Sequence, residues 1–231
     1  MIDFSKLEFL TFDCYGTLID WETGILSVLH RTMLAHSISL PDAEILRLYG
    51  DFEAEAEQSP YREYREVLRS VVRSYGMQFS FSPTNEEVEA LPDSLPKWLP
   101  WPDTVSALQK LQTRYKLAVI SNIDDDLFRL TQRNLSVTFQ SVTTAMQARC
   151  YKPALDIFSL ALGRTGSSPE KVLHVGQSIY HDVLPAKSLG MPTVWVNRPS
   201  RRDGVGAVKK VGGTPDMEVR NLETLARVAL G

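Results

Sequence analysis

Glu8-Phe9-Leu10-Thr11-Phe12-Asp13-Cys14-Tyr15-Gly16-Thr17-Leu18-Ile19-Asp20-Trp21 is the stretch around which this chain is organised. Its apolar, β-favouring half stops abruptly at a carboxylate, and a glycine follows shortly after. Such a pattern predicts a buried strand that delivers Asp13 to a loop at its C-terminal tip. Open α/β sheets keep their chemistry at those tips, so Asp13 is the first candidate for a reactive group. Taken alone, the pattern more often marks a core strand with a solvated acid at its end. The later strands have to decide.

Downstream of Trp21, residues 23–37 place Ile25, Val28, Leu29, Met33 and Leu34 at helical spacing. A second helix is expected over 41–49, and the charge run 51–57 reads as a solvated helix face. A third is expected over 60–75, with Tyr61, Tyr64, Val67, Leu68 and Val71 along one side. No strand pattern occurs between Asp20 and Pro96. Residues 17–96 therefore read as an all-helical cap, closed by Pro83, Pro92, Pro96, Pro100 and Pro102, a residue type that breaks helix interiors.

Beyond residue 97 the texture becomes the helix–strand alternation of a parallel sheet. Strands are expected over 116–120, 140–145, 171–175 and 192–196, with helices over 104–115, 127–134, 155–164 and 185–189. Residues 201–214, rich in Gly, Lys and Arg, read as a mobile loop. The expected architecture is an α/β, Rossmann-like parallel-sheet core (1–16 and 97–231) with an inserted helical cap domain (17–96).

Composition narrows the partners. The net charge of −3 comes without a basic stripe, which argues against a nucleic-acid surface. Cys14 and Cys150 are the two cysteines, and neither has a ligand-like or redox-like spacing, as expected in a reducing, cytoplasmic setting. No apolar run approaches the length of a spanning helix, so no membrane partner is expected. An apolar cap face could support a homodimer.

Polar residues recur where the expected strands stop: Asp13 and Thr17, then Ser121 and Asn122, then Lys152, then Gly176 through Asp182. Parallel strands point one way, so these ends meet at one edge. A carboxylate nucleophile needs a cation to hold it ionised, hydroxyl and amide donors to fix it, and a second acid to tune them. Lys152, Thr17, Ser121, Asn122 and Asp182 supply those roles for Asp13.

The order and texture of these residues resemble the haloacid dehalogenase superfamily, over essentially the whole chain. The resemblance implies that Asp13 attacks the substrate to form a covalent ester, which water then hydrolyses. Phosphatases of that superfamily carry a second Asp two residues after the nucleophile and a magnesium-ligating Asp in the last motif. Here those positions are Tyr15 and Gln177, as in the L-2-haloacid dehalogenase branch. The implied enzyme is a metal-independent hydrolase without cofactor, acting on a 2-substituted carboxylic acid.

The wording of residues 12–25, with Ser178-Ile179-Tyr180-His181-Asp182, is similar to the ring-opening branch typified by L-azetidine-2-carboxylate hydrolase. A departing amine calls for a proton donor, for which Tyr180, His181 or a cap residue could serve. With Tyr15, Trp21, Gln177 and Ser178 they make up the expected substrate-binding set. The departures from the L-2-haloacid dehalogenase branch are that Leu48-Tyr49-Gly50-Asp51-Phe52-Glu53 offers no Arg for a substrate carboxylate, that Phe158 replaces a Tyr following the motif Lys, and that residues 177–182 hold no clear counterpart of the Asn in the last motif. Other readings are a Mg²⁺-dependent small-molecule phosphatase and a catalytically drifted binding protein.

Overall fold

Strand β1 (Phe9–Phe12) is buried at every position and pairs in parallel with β2 (Lys116–Ser121) on one side and β4 (Val172–Gly176) on the other. This is a computed structural model, and it describes residues 2–58, 60–198, 206–208 and 211–231. With β3 (Ser141–Thr144), β5 (Thr193–Val196) and β6 (Met217–Val219), the six strands run in the order β3-β2-β1-β4-β5-β6, every neighbouring pair parallel. Helices cover both faces, so the central strands are apolar on both sides and read as continuous hydrophobic runs. The strand order reverses between β1 and β4. In a doubly wound sheet this is the crevice where ligands bind.

Between β1 and β2 the chain forms α1 (Trp21–Ala35), α2 (Asp42–Ala56), α3 (Tyr64–Phe79) and α4 (Asn85–Ser94). The core helices are α5 (Thr104–Leu111), α6 (Asp125–Gln132), the single turn α7 (Ala145–Ala148), α8 (Leu155–Thr165), α9 (Leu184–Ser188) and α10 (Leu222–Leu230). No described helix is long and apolar enough to cross a membrane.

Several local expectations shift, each for an identifiable reason. Helix α1 starts at Trp21 because the Asp20 side chain accepts from Thr23 N and caps it. Helix α2 runs on through the charge run to Ala56, and its inner face carries Glu53 instead of leaving the whole run to solvent. Helix α3 begins at Tyr64, so Tyr61 and Arg62 precede it. Helix α4 was not expected at all: Thr84 and Glu87 form a reciprocal capping box, and Pro92 sits within its final turn. The proline cluster masked that helix. Strand β6 and helix α10 are likewise additional to the expected elements. Of the loop expected over 201–214, residues 201–205 and 209–210 lie outside the described residues.

Candidate active site

The tip of β1 presents Asp13 beside a lysine that lies far off in sequence. Lys152 Nζ donates to Asp13 Oδ1 at 2.8 Å, to Asp182 Oδ1 at 2.6 Å and to the Ile120 carbonyl at 3.1 Å. All three side chains are buried, Lys152 to 2 % exposure. An ammonium out of water is tolerated only when paired and fully hydrogen-bonded, and here every proton of Nζ has an acceptor. Lys152 lies between α7 and α8, beyond the end of β3, and the neighbouring strand β2 steers it. Asn122 Oδ1 accepts from Lys152 N at 2.7 Å, and Asn122 Nδ2 donates to the Lys152 carbonyl at 3.3 Å.

Asp13 and Asp182 are each fixed further. Thr17 Oγ1 donates to Asp13 Oδ2 at 2.6 Å and accepts from Gln177 N at 2.9 Å, tying the β1 loop to the β4 loop. Gly16 permits this with a φ of +95°, a region L side chains avoid. Asp182 sits in a π-helical turn, Ile179–Val183, capped by Ser178. Its Oδ2 accepts from Ser178 N at 3.2 Å. His174 Nε2 lies 3.2 Å from Asp182 Oδ1, and since a carboxylate only accepts, that nitrogen carries the hydrogen. Thr11 Oγ1 holds His174 Nδ1 from the other side at 2.9 Å. His174 was not singled out from sequence, where it reads as one more residue inside a buried strand.

These contacts split the two carboxylates electrostatically. Burial raises the Asp13 carboxyl above its ordinary value, Lys152 opposes, and the charge of Asp182 adds to the rise. Burial opposes ionisation of Asp182 as well, but Lys152 and the His174 N–H outweigh it and hold Asp182 well below the usual range. Burial would favour a neutral Lys152, yet the two carboxylates overcome it and push its value up. The resulting arrangement is a fixed anion–cation pair with a second, less firmly ionised carboxylate facing outward.

A cavity opens above this group, lined by Asp13, Tyr15, Trp21, Ser121, Asn122, Lys152, Gln177, Ser178, His181 and Asp182 from the expected set. Thr17 is fully buried and outside the lining, so it acts through Asp13 and the Gln177 backbone. Tyr180 is outside the lining; one position from His181 on the turn, its ring packs edge-on against the His181 ring at 4.8 Å. Tyr15 lines the cavity, but its hydroxyl bonds Thr131 Oγ1 at 2.8 Å and its ring meets Trp98 edge-on. Arg62 and Arg65 do not line the cavity: Arg62 donates to the Ala56 carbonyl, and Arg65 pairs with Asp126. Cys14 is buried, and burial raises its thiol well above the ordinary value.

Five further residues line the same space: Glu53, Glu57 and Tyr64 from the helical segment between β1 and β2, and Ala207 and Val208. Asp124, just beyond β2, accepts from the Tyr64 and Arg65 backbone N–H groups at 2.8 and 2.9 Å and so caps α3 from the core. That cap turns the Tyr64 hydroxyl onto Glu53 Oε1 at 2.6 Å, where the Tyr49 hydroxyl also donates at 2.8 Å. Only the i,i+4 spacing of Glu53 and Glu57 within the charge run could have pointed to a shared face.

Magnesium, implied by the phosphatase reading, does not fit this donor set. It is held in near-octahedral geometry by one or two carboxylates together with water and substrate phosphate. Gln177 stands where a carboxylate is needed, and the Lys152 ammonium occupies the position between Asp13 and Asp182. Among the described residues no group of His, Cys, Asp and Glu is arranged to hold a metal ion.

A doubly wound sheet that gathers a carboxylate, a buried lysine and a second carboxylate at its switch point places a candidate carboxylate nucleophile where such sheets bind their ligands. The chain belongs to the haloacid dehalogenase-like hydrolase family, whose model matches residues 10–196. It is 25 % identical to an (S)-2-haloacid dehalogenase of Pseudomonas fluorescens over 229 residues, covering 96 % of each chain. It is 24 % identical to haloacetate dehalogenase H-2 of a Moraxella species, covering 96 % of this chain and 98 % of that one. Among solved structures it resembles the L-2-haloacid dehalogenase of Xanthobacter autotrophicus, with a TM-score of 0.80 at 21 % identity, covering 97 % of this chain and 99 % of the other. The chain is accordingly an enzyme of the haloacid dehalogenase-like hydrolase type, built on the fold expected from its sequence.

Proposed function

We propose that the protein hydrolyses a bond at the sp³ carbon α to a carboxylate, through a covalent ester on Asp13 and without a metal. Helices α1 to α4, within residues 17–96, act as a cap over the core of residues 1–16 and 97–231 and complete the substrate pocket. The observation that carries this reading is the place of Tyr15. A phosphoryl-transfer site of this family type would need an acid there to protonate a departing alkoxide. The Tyr15 hydroxyl is instead engaged with Thr131, and burial raises it well above its ordinary value, so it does not supply that proton.

Within the proposed mechanism Lys152 keeps Asp13 ionised while Thr17 orients it for attack. Two donors in the cavity lack partners among the described residues: the Ser121 hydroxyl and the Trp21 indole N–H. Both are buried, and an unpaired buried donor is costly unless a ligand satisfies it. They receive the substrate carboxylate. That a related dehalogenase structure contains covalently bound chloropropionic acid agrees with ester formation.

A single turnover in ¹⁸O-water tests the reading. Label should enter the Asp13 side chain, because water attacks the ester carbonyl. Label found in the product alone, with enzyme in excess over substrate, would rule the covalent ester out.

A further inference from the structure

We propose that Ala207 and Val208, in the connection between β5 and β6, form the wall that receives the alkyl substituent on the substrate's reacting carbon and limits its length. The inference rests on the reading that a 2-substituted carboxylic acid occupies the cavity over Asp13, and it adds the group that selects among such acids.

The chemistry of the lining is the first argument. Among the described residues, Ala207 and Val208 are the only ones that bring aliphatic side chains to the cavity. Tyr15, Trp21 and Tyr64 contribute aromatic rings with polar tips, and every other lining side chain is polar. With the substrate carboxylate on Ser121 and Trp21 and the α-carbon facing Asp13, a saturated substituent needs an apolar surface to leave water favourably. Against Glu53 and Glu57 it would strip carboxyl groups of solvent and give them no partner in return. Ala207 and Val208 supply the surface without that cost.

The second argument is that this surface is anchored on two sides. Ala207 N donates to Glu22 Oε1 at 3.0 Å, in the first turn of α1 and next to Trp21. On its other side the Ala207 carbonyl lies against Gly50 of α2, where an added Cβ would collide with it. Glycine is unfavourable in the middle of a helix, and this close approach of a second backbone is what a side chain at position 50 would prevent. Gly50 precedes Glu53 and Glu57 by three and seven residues, so the contact falls on the side of α2 that faces the cavity. Ala207 is buried, and Val208 packs against the hydrophobic core. The wall is thus tied to the two helical segments that bring Trp21 and the glutamates to the site. A longer chain meets a stop.

The ratio of kcat/KM for 2-chloropropionate over 2-chlorohexanoate reads the wall, because a variant that is merely less stable loses activity on both acids alike. Wild-type enzyme should favour the shorter acid by at least about tenfold, and Val208→Ala should lower that ratio at least about tenfold. Ala207→Val should act in the opposite sense, raising the preference for chloroacetate over 2-chloropropionate. A wild-type enzyme indifferent to chain length overturns the inference, as do ratios that stay within about threefold of wild type in both variants. Single-turnover ¹⁸O labelling separates the two levels. Asp13 labelled with both chain lengths, together with unmoved ratios, overturns the wall and keeps the covalent ester. No label and no turnover with any of the three acids overturns the ester reading and the wall with it.

Discussion

Lys152 Nζ sits 2.8 Å from Asp13 Oδ1 and 2.6 Å from Asp182 Oδ1, buried between the two carboxylates. Removing the cation leaves two buried carboxylates facing each other. Lys152→Met should abolish turnover and destabilise the fold by about 3–5 kcal/mol, the usual cost of breaking a buried pair. Denaturant melts at neutral pH check this. A loss near that of a surface pair, under about 1 kcal/mol, would show that the three groups do not act as a unit.

The proposed chemistry has a pH signature with a definite sign. Only ionised Asp13 attacks, and burial raises its carboxyl above the ordinary value of 3.8, so kcat/KM should fall with decreasing pH at a midpoint above 3.8. A limb at or below that value contradicts the assignment. Asp182 behaves oppositely: its folded value lies below its unfolded one, so it stabilises above pH 3.8 and that contribution fades as pH drops further. The stability deficit of Asp182→Asn should therefore shrink on acidification below 3.8.

Tyr15→Phe tests whether the phenol takes part in proton transfer. Losing the bond to Thr131 should cost about 1 kcal/mol of stability. Turnover should stay within about tenfold, since loss of a general acid costs about 10²–10⁴-fold. A drop of that larger size in kcat would return Tyr15 to the chemistry.

Gly16→Ala addresses the loop that aims Asp13. At φ +95° an added Cβ would collide with Gln177 Oε1. Backbone strain of about 1–2 kcal/mol is expected, with a fall in kcat/KM as Gln177 is displaced. Combining it with Gln177→Ala should be less than additive, because the two changes share one contact. Strict additivity would separate them.

Prolonged treatment with a chelator should leave turnover unchanged under the proposed metal-independent mechanism. Loss of activity restored by Mg²⁺ would favour the phosphatase reading instead.

The arrangement of the core was legible because parallel strands impose it. Once Phe9–Phe12, Lys116–Ser121 and Val172–Gly176 are recognised as buried strands, their C-terminal ends share an edge, and Asp13, Ser121, Asn122 and the Gly176–Asp182 turn follow. Lys152 lay beyond a strand end, yet the short connection from β3 through α7 left it little choice of position. The helices between β1 and β2 were less legible. Their apolar faces identified most of them, but α4 was hidden by prolines whose cost its capping box and core packing outweigh.

Side-chain direction was the part the sequence withheld. A run such as Asp51–Glu57 reads as solvated because charged residues usually are, and nothing local says that Asp124 will cap α3 and swing Tyr64 onto Glu53. Tyr180 and His181 are neighbours of equal promise in the sequence, and only the π-helical turn directs one into the cavity and the other aside. Backbone periodicity is a local property, so the strand tips and their polar residues were determined by sequence alone. The charge of the cavity was decided by contacts between segments tens of residues apart, which exist only once the helices have packed on the sheet.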